Sequence, residues 1–144
     1  MQLTNAIQDK ATRDAIAADC TQLIDRQVSA KGGLGGMALK AAYGVVKGIG
    51  SDYIPGAVNR LLPETCAALD PMWAEGVEKG APVAHLSSNC DRTADLVLSA
   101  TDARIARANK GVISATYSKL RKSIKSDVVA AVPGLAEVLG KHVS

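Results

Sequence analysis

The chain has no phenylalanine, one tryptophan and three tyrosines among 144 residues. Its interior must therefore be built from Ala, Val, Leu and Ile, side chains small enough to let helices approach closely, with Ala the best helix former of all. Cysteine and histidine are scarce, with Cys20, Cys66, Cys90, His85 and His142 the full set. So few, so scattered, they exclude a disulfide framework and a Cys/His zinc site. Long apolar runs are missing as well. The nearest, Val128 to Gly140, carries Glu137 and the Pro133-Gly134 pair, and it is too short for the roughly 20 residues that span a bilayer. The first ten residues have neither the basic start nor the apolar stretch of a secretory signal. A cytoplasmic location with reduced cysteines is the expectation. Strong net charge is also lacking. Seventeen basic against 14 acidic residues leave +3, too little to announce a nucleic-acid binder.

What is present is helical spacing. Thr12 reads as an N-cap, and Ile16, Cys20, Leu23, Ile24 and Val28 follow on one face, predicting a helix over 12–30 closed by Lys31-Gly32. After the linker Gly32-Gly33-Leu34-Gly35-Gly36, residues 37–47 are apolar round so much of their circumference that this helix is expected to be central. Ser51-Asp52 caps a short segment, Pro63 starts another along Cys66, Leu69 and Trp73, and Asp70-Pro71 predicts a kink or restart within it. Val83 and Leu86 read as a short apolar turn. Ser87-Ser88-Asn89 opens a long helix that Asn109-Lys110-Gly111 stops. Ile113, Tyr117, Leu120 and Ile124 make a clean stripe, and Ser126-Asp127 caps a last segment reaching His142. No strand-like alternation competes. The fold class is all-α, one domain over 1–144, with six or seven helices.

The landmarks recur in order: Lys-Gly at 31–32 and 110–111, a central Tyr43 and Tyr117, Ser-Asp at 51–52 and 126–127, and Pro63 and Pro133 with Leu six residues on. Units 12–80 and 88–144 then read as duplicated three-helix units packed about a pseudo-two-fold axis, with any site between them. Chance matches in an Ala-rich helical chain explain the same pattern, and both readings stay open.

Catalytic patterns are thin. The chain has no Walker or dinucleotide fingerprint, no Gly-x-Ser-x-Gly and no Glu-x-x-His motif. Cys20 and Cys66 lie among apolar residues and read as small buried hydrophobes. Cys90, five residues from His85, makes a poor metal pair. The glycine-rich linker reads as a helix connection, or as an anion cradle with Lys31 and Lys40. Trp73 reads as a core anchor, and Glu64, Asp70, Glu75 and Glu78 as solvated carboxylates. Charge is polarised: residues 1–80 hold eight basic and nine acidic groups, residues 81–144 nine and five. The basic helix 103–125 offers Arg104, Arg107, Lys119, Arg121, Lys122 and Lys125 to an anion, or presents them simply as a solvated face. A polar cluster of Thr101 and Asp102, with Tyr43 or Tyr117, completes the candidates. Asp102 is placed to pair with an arginine of a neighbouring helix, and Arg104 and Arg107 suit either an anion clamp or an interhelical salt-bridge network.

Ala41-Ala42-Tyr43, Ile54-Pro55, Leu61-Leu62-Pro63, Leu69-x-Pro71-x-Trp73, Thr101-Asp102-Ala103-Arg104 and Val128-Val129-Ala130-Ala131-Val132-Pro133 together resemble an uncharacterised bacterial family of about this length, a domain of unknown function. The resemblance runs from Leu3 to His142. It implies helical content and a bacterial cytoplasmic setting, and no activity, cofactor, metal or catalytic residue.

The functional expectation is a non-catalytic protein that needs no cofactor and acts through a protein partner or as a homo-oligomer. The alternative is anion binding, to nucleic acid, a phosphorylated metabolite or an anionic membrane surface, through helix 103–125. A pocket for an apolar ligand between the half-units is a third possibility, which a tightly packing small-residue core argues against.

Overall fold

The computed structural model describes residues 2–108 and 111–143, and within them every regular element is helical. Eight helices replace the expected six or seven: α1 (Leu3–Ala6), α2 (Lys10–Ala30), α3 (Gly33–Lys47), α4 (Tyr53–Glu78), α5 (Pro82–Ser88), α6 (Cys90–Ala108), α7 (Gly111–Arg121) and α8 (Lys125–His142). Asn109 and Lys110 of the expected stop signal lie outside the described residues.

Three local differences account for the count. First, α1 is a single turn whose formation the sequence did not announce. Its exposed N–H groups are met by Asp70, which accepts the Leu3 amide at 2.6 Å and the Thr4 hydroxyl at 2.6 Å. Second, that same engagement removes the expected restart at Asp70-Pro71. α4 runs unbroken through Pro63 and Pro71, although an internal proline costs about 3 kcal/mol or more. It continues because Leu62, Cys66, Leu69, Met72 and Trp73 are all buried along one side, and packing of that stripe outweighs the local penalty. Third, the apolar turn at Val83 and Leu86 is helix α5, with Pro82 in the first turn where its missing N–H is harmless.

Smaller corrections follow the same logic. The cap of α2 is Asp9 rather than Thr12: the Asp9 carboxylate accepts the Thr12 amide at 3.0 Å and the Thr12 hydroxyl at 2.7 Å. The glycine linker is not a spacer, since Gly33 to Gly36 form the first turn of α3. Gly36 is required there, because a Cβ would lie 2.3 Å from the Lys31 carbonyl oxygen.

The four long helices α2, α4, α6 and α8 pack in a ring in that cyclic order, the four-helix solution to burying one apolar face per helix. Exchanging α2 with α6, α3 with α7 and α4 with α8 maps this order onto itself. At one end of the ring, α1 lies on α4 while α5 packs across α4 and α8. There Leu3, Ile16, Leu69, Met72, Leu86 and Leu139 form the core, with Trp73 anchored among them as expected. At the other end, α3 lies on α2 and α7 on α6, and these two short helices touch each other. Neither is central. Gly36 is the sole buried residue of α3, and α7 has none. No helix of the described residues is long and apolar enough to cross a membrane.

Candidate functional site: the slot beneath α3 and α7

Between α3, α7 and the ends of α2, α4 and α6 lies a cavity of about 360 Å³. That volume falls within the roughly 300–1,000 Å³ of small-molecule sites. Its walls are Ile24 and Val28 of α2, Leu39 and Val46 of α3, Ile54 and Leu61 of α4, Ile105 of α6, Ile113 and Leu120 of α7, and Ile124. The tight packing expected of small aliphatic residues thus holds at the α5 end and fails here.

All three tyrosines of the chain line this slot. Two are held in the same way in the two halves. The Tyr43 hydroxyl of α3 donates to Asp25 of α2. The Tyr117 hydroxyl of α7 donates to Asp102 of α6 at 2.5 Å. Partial burial, reinforced by the adjoining carboxylate, raises both phenol pKa values above the ordinary range. Their hydroxyls are therefore neutral donors committed to carboxylates, and aromatic carbon is what they contribute to the walls. The third, Tyr53, lies beneath the Arg60 guanidinium, 6.0 Å from its ring centre.

Asp102 finds the interhelical arginine expected of it. It accepts from Arg121 Nε at 2.8 Å and Nη2 at 3.0 Å, a two-pronged contact. Arg121 foremost, with Tyr117 adding to it, holds the Asp102 carboxyl below its usual range. Thr101 is not part of this cluster, because its hydroxyl returns to the Val97 carbonyl one turn back. Tyr43 is apart from it too, across the slot with Asp25.

The six anion candidates divide. Arg104 and Arg107 converge on Glu64 of α4, Arg107 closely and Arg104 at 3.7 Å. Arg121 is held by Asp102, and Lys125 by Asp95 at 3.0 Å. Lys119 and Lys122 have no ion pair among the described residues. Lys31, a candidate at the glycine turn, is engaged with Asp127 at 2.6 Å, and Lys40 has no ion pair among the described residues. Arg60, which sequence reasoning passed over, is exposed, lines the slot and lacks a carboxylate partner among the described residues. Only its spacing from Ile54, Val58 and Leu61 signalled a cation beside an apolar stripe.

Charge separates the two ends of the ring. Segments 24–62 and 101–127 hold eleven described basic residues: Arg26, Lys31, Lys40, Lys47 and Arg60, then Arg104, Arg107, Lys119, Arg121, Lys122 and Lys125. Against them stand Asp25, Asp52, Asp102 and Asp127, a surplus of seven. The remaining described residues hold five basic and ten acidic groups, a deficit of five.

The chain matches, over residues 3–143, a family described as a Family of unknown function (DUF6918). It belongs to that family. No curated protein and no solved structure matches it. Nearly every residue of the slot and of the core lies within the part of the chain that defines the family.

Elsewhere in this family member the thiols and imidazoles are either buried or hydrogen-bonded within the fold. Burial, with Asp19 nearby, pushes the Cys20 thiol up to about 11, and burial foremost takes Cys66 to about 12. Both are protonated thiols in the core, as expected. Cys90 does not meet His85, since its thiol donates to the Ser87 carbonyl. His85 pairs instead with Glu75 at 2.9 Å, and His142 with Asp19 at 2.7 Å. The carboxylates expected to be solvated are largely engaged: Glu64 by arginines, Asp70 by α1, and Glu75 by His85 and Arg92.

Proposed function

We propose that this is a non-catalytic helical interaction protein, built from two duplicated three-helix units, whose partner surface is the outer face of α3. One observation carries the reading. Leu34, Met37, Ala41 and Val45 fall at helical spacing on one side of α3, and Leu34, Met37 and Val45 are 85%, 68% and 51% exposed. Ile49 extends the stripe beyond the helix end. Scattered exposed hydrophobes need no explanation, whereas a continuous stripe of large ones on a peripheral helix marks a contact surface. The sequence made α3 apolar on both sides, and the structure gives each side different surroundings: Leu39, Tyr43 and Val46 face the slot while the stripe faces solvent.

The duplication reading is supported by the ring order, by the paired Tyr43–Asp25 and Tyr117–Asp102 contacts, and by internal prolines in both α4 and α8. The non-catalytic reading is supported by the burial of Cys20 and Cys66 and by the engagement of Cys90, His85 and His142. A cytoplasmic setting is part of the same proposal.

The test is a photo-crosslinking amino acid placed at Met37 and at Val45, with Val77 as an exposed apolar control at the other end, in cells that make the protein. A discrete adduct from positions 37 and 45 but not 77 is expected. An adduct of twice the chain mass means self-association, and any other mass means a partner protein. Absence of adducts at both stripe positions refutes the reading. Anion binding is the second reading, favoured by the basic surplus at this end. It requires affinity for nucleic acid or anionic vesicles that falls steeply with salt and with Lys119→Gln and Lys122→Gln together.

A further inference from the structure

The slot is a separate matter from the stripe, because it lies on the opposite side of α3 and opens between helices. Four observations bear on what fills it. Its walls are aliphatic side chains and tyrosine rings from five helices, and none of Ile24, Leu39, Ile54, Ile105, Ile113 and Leu120 reaches full burial. The stripe Ile113, Tyr117, Leu120 and Ile124 of α7 and its C-terminal turn is cleanly spaced in the sequence, yet its residues stop half-buried and none in α7 is fully buried. Such a stripe in a folded protein is usually covered, and here the chain covers it only in part. α3 and α7 touch each other, and a second helix, about 10–12 Å across with its side chains, does not pass between them. A cavity of about 360 Å³ suits a body as thin as a single hydrocarbon chain.

The mouth supplies the other half of the ligand. Arg60 and Arg104 are the charged side chains lining the slot. Arg60 has no carboxylate partner among the described residues, and Arg104 is held only loosely, 3.7 Å from a Glu64 that Arg107 already occupies. The carboxylates that hold the slot's Tyr43 and Tyr117, Asp25 and Asp102, are occupied by the tyrosine hydroxyls and, for Asp102, by Arg121. An apolar cavity with a guanidinium at its rim that no described carboxylate pairs with is complementary to an apolar body with one negative charge at its end.

We propose that the slot binds a long-chain monocarboxylate, its hydrocarbon on the aliphatic walls and its carboxylate on Arg60, with Arg104 in reserve. α3 is then the cover of the site. It is connected through Gly32-Gly33, with Gly33 at φ +72°, and leaves through Gly48 and Gly50, so both of its junctions are made of the residue that turns at least steric cost.

The experiment is isothermal titration calorimetry of the whole chain with saturated fatty acids of increasing length and with the matching alcohols, each below its micelle-forming concentration. Saturable one-to-one binding is expected, with Kd falling roughly fourfold per added methylene until the slot is full. Arg60→Gln, at an exposed position without an ion pair among the described residues, weakens the acids by roughly tenfold or more and leaves the alcohols unchanged. Thr116→Trp, which fills the slot from α7, abolishes both. Should that variant fail to fold by circular dichroism, Arg60→Gln decides. No saturable binding, binding without chain-length dependence, or equal losses for acid and alcohol in Arg60→Gln would each overturn the proposal. So would a dimer in which a second copy closes the slot to every acid in the series.

Discussion

At the α5 end of the ring, Leu69, Cys66 and Leu139 are 1% exposed and Leu3, Met72 and Leu86 are sealed completely. At the α3 end, equally apolar residues at equally regular spacing stop half-buried around a cavity. Composition does not explain the contrast, because both ends are aliphatic. Closure does. Two cross-packing helices, α1 and α5, fill the acidic end, and Asp70 and Glu75 tie them to their neighbours. The short helices at the basic end carry exposed cations, Lys40 on α3 and Lys119 on α7, and they cover the bundle without filling it. One ring therefore has a structural end and an available end. The total accessible surface, 7718 Å², is about a tenth above the roughly 7,000 Å² expected of a compact monomer of this mass, as an open end requires.

The contrast is broken most directly by matched truncations. Leu69→Ala removes a sealed side chain from the core and is expected to cost about 2–5 kcal/mol. Leu120→Ala removes the same atoms from a wall that is already open, leaves no new enclosed cavity, and is expected to cost on the order of 1 kcal/mol or less, by area lost alone. Urea denaturation of both variants measures the difference. Equal losses would mean that the slot is as well packed as the core and that the two ends are one.

Alanine in place of glycine sharpens the comparison, because the sign changes from end to end. At Gly76 in α4 a new Cβ would stand 2.5 Å from the Pro82 Cα and 2.9 Å from the His85 Cβ. Backbone cannot retreat cheaply, so Gly76→Ala should destabilise by about 1–3 kcal/mol despite its better helix propensity. At Gly44 in α3 nothing lies within 4 Å of the added methyl, and Gly44→Ala should stabilise by about 1 kcal/mol through propensity alone. Thermal melts decide, and a stabilised Gly76→Ala would show that α4 and α5 are not in close contact.

How much of this was legible in the sequence follows the same division. Periodicity located α2, α6, α7 and α8 within a few residues, because burial on the ring selects the pattern that periodicity reads. It split α4 at Pro63 and Asp70-Pro71, since local proline rules carry no information about the long stripe that holds the helix together. It missed α1, whose cap comes from Asp70, 67 positions away along the chain. The apolar circumference of residues 37–47 was visible and its meaning was reversed: a helix apolar on two sides is central only if chain covers both. Asp102 was legible as a partner for an arginine on another helix, because its offset from Thr101 is a local property of one helix. The place of Arg60 at the slot, and the pairing of Tyr43 with Asp25, were not legible, since they depend on how α3 meets α4 and α2.

The smallest effect is electrostatic and lies at the packed end. Arg92 foremost, with His85, holds the Glu75 carboxyl down to about 2, against an unfolded value of about 4.3. A carboxylate whose pKa is depressed on folding adds stability that is fully present above the unfolded value and disappears as pH falls through the folded one. The contribution of Glu75 should therefore fade between about pH 4.3 and 2, and Glu75→Gln should flatten that part of the stability curve by removing the increment at neutral pH, a small one because exposed pairs of this kind are screened, while matching the parent near pH 2. Trp73, two residues away and buried among the same helices, reports the change by its fluorescence during melts across the acid range. If the variant loses stability in step with the parent down to about pH 2, the His85–Glu75–Arg92 contact is not what couples α5 and α6 to α4, and the closure of this end rests on apolar packing alone.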